Sequence, residues 1–162
     1  MKKPGFSLLE TTVAVAILII AVVGPLTLAS TSIKSFSQAK NGLLAASLAQ
    51  EGIELIRNYR SSNVLGGRNW LFGMNACLTP NSCKIDAVTS EIDSCGASCP
   101  ALNLASASGL YSYGAGTPTI FIRKITLETI GTDEVKIKSK VSWEERFGQQ
   151  SFELEEYMLN WQ

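Results

Sequence analysis

Hydrophobic positions fall into three regimes along this chain. From Phe6 to Ala29 the residues are almost all apolar, and Glu10 is the one charge in that run. A helix over 6–30 would be roughly 37 Å long at 1.5 Å per residue. That is enough to cross a bilayer core of about 30 Å. Lys2 and Lys3 precede it, so the positive-inside rule puts the short head in the cytoplasm and everything after Ser30 outside. Gly24-Pro25 interrupts the run, and proline there kinks or loosens a helix. Over 31–60 the pattern becomes amphipathic. Ile33, Phe36, Leu44, Leu48, Leu55 and Tyr59 recur near helical spacing, broadened by Leu43, Ile53 and Ile56. No loop signal separates the two stretches, so one helix of about 55 residues is expected, near 80 Å. Glu54 and Arg57 are placed to pair on its surface. Gly42 and Gly52 lower its intrinsic stability, and either permit close packing or are incidental.

Residues 61–118 are punctuated by Gly, Pro, Asn and Ser, as in Leu65-Gly66-Gly67 and Thr79-Pro80-Asn81. Loops with short elements at most are expected there. From 119 the period changes to two. Phe121, Arg123, Ile125 and Leu127 share one side. Val135, Ile137, Ser139, Val141 and Trp143 share another, after a turn at Gly131-Thr132-Asp133. A turn near Gly148 leads to Phe152, Leu154, Glu156 and Met158, with an apparent switch of side to Leu159 and Trp161 that suggests a bulge. Tyr111-Ser112-Tyr113 is a candidate fourth strand. The pattern therefore predicts an α+β fold. A long N-terminal helix packs by its C-terminal half on an antiparallel sheet of three to four strands.

Charge and cysteine content narrow the chemistry. The 162 residues carry 14 basic and 14 acidic side chains and no histidine. A zero balance argues against nucleic acid as a specific partner. Histidine-based triads are excluded, and so is most catalytic zinc chemistry. No nucleophile-elbow, P-loop or metal motif appears, so neither an enzyme nor a cofactor is expected. Glu144, Glu145, Glu153, Glu155 and Glu156 read as solvated strand faces. Lys136, Lys138 and Lys140 read as a solvated sheet face opposed by Glu153 and Glu155, rather than as an anion or DNA surface.

Cys77, Cys83, Cys95 and Cys99 follow the spacing C-x5-C-x11-C-x3-C. An even count behind an export signal points to two disulfides. The rival is a four-thiolate zinc site, for which the spacing is poor because neither pair is C-x2-C. Three pairings are open. Sequential pairing, Cys77 with Cys83 and Cys95 with Cys99, closes two short local loops and is the expectation, although the second loop is tight.

The segment Lys2-Lys3-Pro4-Gly5-Phe6-Ser7-Leu8-Leu9-Glu10, followed by a long apolar run, resembles the class III signal of type IV pilins and type II secretion pseudopilins. The resemblance implies cleavage between Gly5 and Phe6 by a prepilin peptidase and N-methylation of Phe6. It implies a leader at 1–5, a transmembrane and filament-core half of the helix at 6–30 and an amphipathic half at 31–60. The family order of a variable loop region and a sheet matches the disulfide-bearing loop region at 61–118 and the sheet at 119–162. The four cysteines are a departure, since many pilins have a single C-terminal disulfide loop and no Cys follows Cys99 here. Glu10 would be the carboxylate that accepts a neighbour's new amino terminus and sets register, and Pro25 a point where the helix loosens on assembly. The implied partners are the peptidase, other pilin subunits and an inner-membrane assembly platform. The precursor would lie in the inner membrane, and the mature chain in an extracytoplasmic filament. Leu48-Ala49-Gln50-Glu51-Gly52-Ile53-Glu54-Leu55-Ile56-Arg57-Asn58 is similar to the helix of minor pilins and small pseudopilins. Met158-Leu159-Asn160-Trp161 is similar to minor-pilin C-termini. Both imply an accessory subunit. The competing expectation is a secreted binding module, released by ordinary signal cleavage after Thr27-Leu28-Ala29.

Overall fold

A computed structural model describes residues 5, 7–96, 98–145 and 148–160. The class is α+β, with one long helix, a single 3-10 turn at Asn75–Cys77 and one antiparallel sheet among the described residues. The chain divides into two compact units, one ending at Asn41 and the other starting at Gly42. Helix α1 (Leu8–Leu65) contributes to both.

In the first unit α1 is exposed from Leu8 to Lys40, apolar over its first part and mostly polar from Ser30 on, and the helix is long and apolar enough to cross a membrane. Ile33 and Phe36, expected on the packed stripe, lie here at 72% and 73% exposure.

In the second unit the buried line of α1 is Ala45, Leu48, Ala49, Gly52, Ile53, Ile56 and Asn63. Leu44, Leu55 and Tyr59 are only partly buried, and Leu43 is exposed. This corrects the expected stripe. Leu48, Ile53 and Ile56 are buried as expected, but Ala45, Ala49 and Gly52 complete the contact in place of the other large apolar residues, because small side chains let the helix axis come close to the sheet. The helix also runs past Arg60 to Leu65. It stops at Gly67, whose positive φ of 67° suits the left-handed residue that ends helices. The Asn63 amide then donates to the carbonyls of Trp70 and Phe72, at 3.4 and 2.8 Å, and fastens the following loop.

The sheet has seven strands rather than three to four. Four short ones come from the region expected to be mostly loop: β1 (Cys83–Ile85), β2 (Ile92–Ser94), β3 (Ala101–Leu104) and β4 (Tyr111–Ser112). Three long ones follow as a meander: β5 (Thr117–Thr129), β6 (Glu134–Glu145) and β7 (Gly148–Leu159). β5 is the hub, pairing with β1, β3 and β6.

The predicted alternation holds. Phe121, Arg123, Ile125 and Leu127, and Val135, Ile137, Ser139, Val141 and Trp143, all point inward. The β6–β7 register is unbroken from Glu145↔Gly148 to Glu134↔Leu159. The bulge expected near Leu159 is therefore absent up to that residue, and Trp161 lies outside the described residues. Asn160 instead turns back onto the hairpin, its backbone N–H and side-chain amide donating to Asp133 at 2.8 and 3.0 Å.

The core has two clusters. Ile53, Ile56, Met74, Cys77, Cys83, Ile125, Leu127, Val135 and Ile137 belong to the larger. Ala45, Leu48, Ala49, Leu102, Phe121, Val141 and Trp143 form the smaller.

Candidate functional site

The residues expected to act in processing and assembly belong to the first unit. Gly5 is exposed, and a Cβ there would meet nothing within 4 Å. Phe6, the residue expected to be cleaved and methylated, lies outside the described residues. Glu10 is exposed in the first turn of α1, where a carboxylate suits the positive end of the helix dipole. Thr11 and Thr12 hydroxyls donate to the carbonyls of Leu8 and Leu9, at 2.8 and 2.9 Å, which keeps polar atoms satisfied inside this apolar stretch. Pro25 sits within the helix without ending it. Lacking an N–H, it cannot donate to the Ala21 carbonyl. Just beyond it, the hydroxyls of Thr27, Ser30 and Thr31 all bond back to helix carbonyls.

The four cysteines form two disulfides, Cys77–Cys83 and Cys95–Cys99, each with a Cα–Cα distance of 4.7 Å. This is the sequential pairing. With the sulfurs bonded to each other, the four-thiolate alternative falls away. Cys77 and Cys83 are fully buried in the larger core cluster. Their loop is anchored on the hub strand, where the Thr79 N–H and hydroxyl both donate to the Leu127 carbonyl at 2.9 and 2.8 Å. The second bridge is tied to the first loop through Ser82. Its carbonyl accepts from the Cys95 N–H, and its hydroxyl donates to the Gly96 carbonyl.

A third constellation escaped the sequence reading. Arg123 on β5 is fully buried. Its guanidinium donates to the Leu48 carbonyl at 3.3 Å and the Ile85 carbonyl at 2.9 Å, and pairs with Glu51 at 3.3 Å. The Tyr113 hydroxyl donates to the Arg123 carbonyl at 3.2 Å, and the Tyr113 N–H donates to Asp86 at 2.6 Å. Asp86 also accepts from the N–H groups of Val88 and Thr89, at 2.7 and 3.0 Å.

One arginine thus joins α1, β1 and β5, and Tyr113 links it to the segment after β4. Burial pushes the Asp86 carboxyl up. The N–H groups of Thr89, Tyr113 and Val88 and the charge on Arg123 more than offset this, and hold it below the ordinary range. Burial raises the Tyr113 phenol. Gly52 makes room for the arrangement. A Cβ there would lie 2.6 Å from Ser139 Oγ and 3.0 Å from Arg123 Cδ. The available signal was a charged residue on the inward phase of a strand, since such a position demands partners.

The expected lysine face is also present. Lys138 pairs with Glu128 and Glu155 at 3.1 and 3.4 Å, and Lys136 and Lys140 approach Glu155 and Glu153 at 3.9 Å. Hydrogen bonding and charge from Lys138 lower the Glu128 carboxyl, and Glu128 and Glu155 raise the Lys138 amine. Arg57 meets both Glu54 and Glu156.

No protein-family model, curated protein or solved structure matches the chain. What the molecule itself establishes is a pilin-like architecture. A long N-terminal helix is apolar at its start and packed at its end on an antiparallel sheet, with two disulfides in the loop region. The disulfides fit an oxidising, extracytoplasmic setting for the second unit.

Proposed function

We propose that the chain is a structural, non-enzymatic subunit of a type IV pilus-like or type II secretion filament, in the class of minor pilins or pseudopilins. A prepilin peptidase cuts between Gly5 and Phe6, and Phe6 is methylated. The helix anchors the precursor in the inner membrane. The assembly platform then transfers it into the filament, where helices of neighbouring subunits replace lipid.

The observation that carries the reading is the first unit of α1. Its apolar residues are exposed among the described residues, and it bears a single acid, Glu10, five residues after the signal residue Gly5. A carboxylate in a membrane helix is costly, less so near the end where it can reach the interface. Cleavage creates a free amino group on Phe6, and a neighbour's amine beside Glu10 offsets that cost.

The test has two parts. Co-expression with a prepilin peptidase is expected to yield a mature chain whose mass begins at methylated Phe6. Glu10→Ala should be cleaved normally yet be depleted from sheared filaments. A mature chain starting at Ser30 would instead support the secreted module. Normal incorporation of the Glu10 variant would sink the register role.

A further inference from the structure

The outward face of β5, β6 and β7 is charge-balanced except at one place. Lys124 on β5 stands directly opposite Lys140 on β6. Like charges facing across strands repel. Elsewhere on this face the lysines have carboxylates close by, Lys138 having two. Here the only such contact is Lys140 to Glu153 at 3.9 Å, and Lys124 makes no ion pair among the described residues.

The two lysines line a concavity of about 370 Å³ with no carboxylate in its lining among the described residues. The uncharged polar side chains around it are Ser98, Ser142, Gln149, Gln150 and Ser151. Ser98 lies inside the Cys95–Cys99 loop, so the disulfide fixes one wall. A second concavity, of about 470 Å³, continues from it across the sheet, sharing Ile122, Ser142 and Gln149. Its far part adds Ile120 and Thr119, and carries an acid, Glu144.

We infer that this trough binds an acidic saccharide, with the anionic group of one sugar held between Lys124 and Lys140. A single anion there cancels the cross-strand repulsion that the sheet leaves unbalanced. Hydroxyls and side-chain amides both donate and accept, which matches a ligand dense in hydroxyl groups. Glu144 sets the polarity, because it repels an anionic end from the far part. The ligand class is a carboxylated or sulfated sugar. Two lysines are too few for a nucleic-acid track, where affinity grows with each phosphate neutralised. The inference does not depend on filament assembly.

The full chain, in polyoxyethylene detergent micelles free of sugar headgroups, is titrated calorimetrically with four probes. These are an oligogalacturonate, a heparin-derived hexasaccharide, a neutral maltohexaose and a poly-glutamate peptide of matched charge. Binding of one or both acidic saccharides, with none of maltohexaose, is expected. Preference between the first two distinguishes a carboxylated from a sulfated ligand.

Lys124→Gln and Lys140→Gln should each weaken binding about tenfold or more, since each removes a charged hydrogen bond. Lys136→Gln, the same charge change on the same strand, should leave it within about twofold, as expected for a charge outside the site that is paired with Glu155. Thermal midpoints of the Lys124 and Lys140 variants should stay level or rise as the repulsion is relieved. No saccharide binding at millimolar concentration overturns the proposal. So does an equal loss in the Lys136 variant, or tighter binding of poly-glutamate than of either saccharide.

Discussion

Gly52 offers the sharpest quantitative test of how the helix meets the sheet. At an ordinary helical position, Gly→Ala is worth about 0.8–1 kcal/mol of added stability. Gly42 is such a position, because a Cβ there would meet nothing within 4 Å. At Gly52 the same methyl would lie 2.6 Å from Ser139 Oγ, 3.0 Å from Arg123 Cδ and 3.3 Å from Ile125 Cδ1. Overpacking of this kind costs about 1–3 kcal/mol. The propensity gain is therefore cancelled or reversed, and Gly52→Ala should leave the protein between neutral and about 2 kcal/mol less stable.

The two substitutions thus differ in outcome although they are chemically identical and share one helix. Ser139 Oγ is buried with no hydrogen-bond partner among the described residues. Ser139→Ala alone should therefore be tolerated, and in the Gly52→Ala background it should recover at least half of the loss by removing the closest contact. The assay is urea unfolding of the full chain in nonionic micelles, followed by fluorescence of the buried Trp70 and Trp143. If Gly52→Ala stabilises as much as Gly42→Ala, the close approach argued here is wrong. Absence of any coupling with Ser139→Ala would also refute it.

The buried polar network makes further predictions. Arg123→Met should destabilise by about 3 kcal/mol, because it removes the donor to the Ile85 carbonyl and a second donor to the helical Leu48 carbonyl, and unpairs Glu51. Glu51 is a third exposed, which keeps the loss at the lower end. The same urea titration measures it. Asp86 has a folded-state acidity below its unfolded value. Its contribution is therefore complete above the unfolded value, near pH 4, and is lost as pH falls through the lower folded value. Asp86→Asn should flatten that acid limb in a pH series of unfolding free energies, and cost about 1–3 kcal/mol at neutral pH. An unchanged acid limb would count against the role given to its backbone donors.

Much of the second unit was legible because two long signals dominate it. Strands β5, β6 and β7 are each at least twelve residues long. Over that length a period of two cannot be mistaken, and the inward set from Phe121 to Trp143 was correctly phased. The helix was legible for the same reason, and so were the local disulfides.

What escaped notice depends on contacts distant in sequence. Strands β1 to β3 are three or four residues long, and of the short strands only β4, at Tyr111–Ser112, was foreseen as a candidate. No alternation can establish itself in so few residues, and β1 and β3 exist because β5 offers them an edge. Arg123 was visible as an oddity, but its acceptors at Leu48 and Ile85 are 75 and 38 residues away. The helix stripe was read correctly at Leu48, Ile53 and Ile56 and incompletely elsewhere, because hydrophobicity marks Leu43 and Phe36, whereas the close contact also runs over Ala45, Ala49 and Gly52. Smallness, which decides how near two backbones come, leaves almost no mark on a hydropathy pattern. Gly5, Phe6, Glu10 and Pro25, the residues of the proposed processing and assembly signal, are read from their order along the chain alone, and the fold of the second unit does not bear on them.

The hub position of β5 has a consequence for how the molecule comes into being. A chain is made from its N-terminus, so the segments that become β1 and β3 emerge well before residues 117–129 exist to receive them. For that interval the middle of the chain has no template. Its two cross-links need none, since they join cysteines only six and four positions apart. Oxidation can therefore run ahead of the sheet and hand a pre-tied segment to β5 when it arrives. On this view the sequential pairing is a timetable as much as a brace. The stretch whose short strands must wait for β5 is also the one that can be fastened before it arrives.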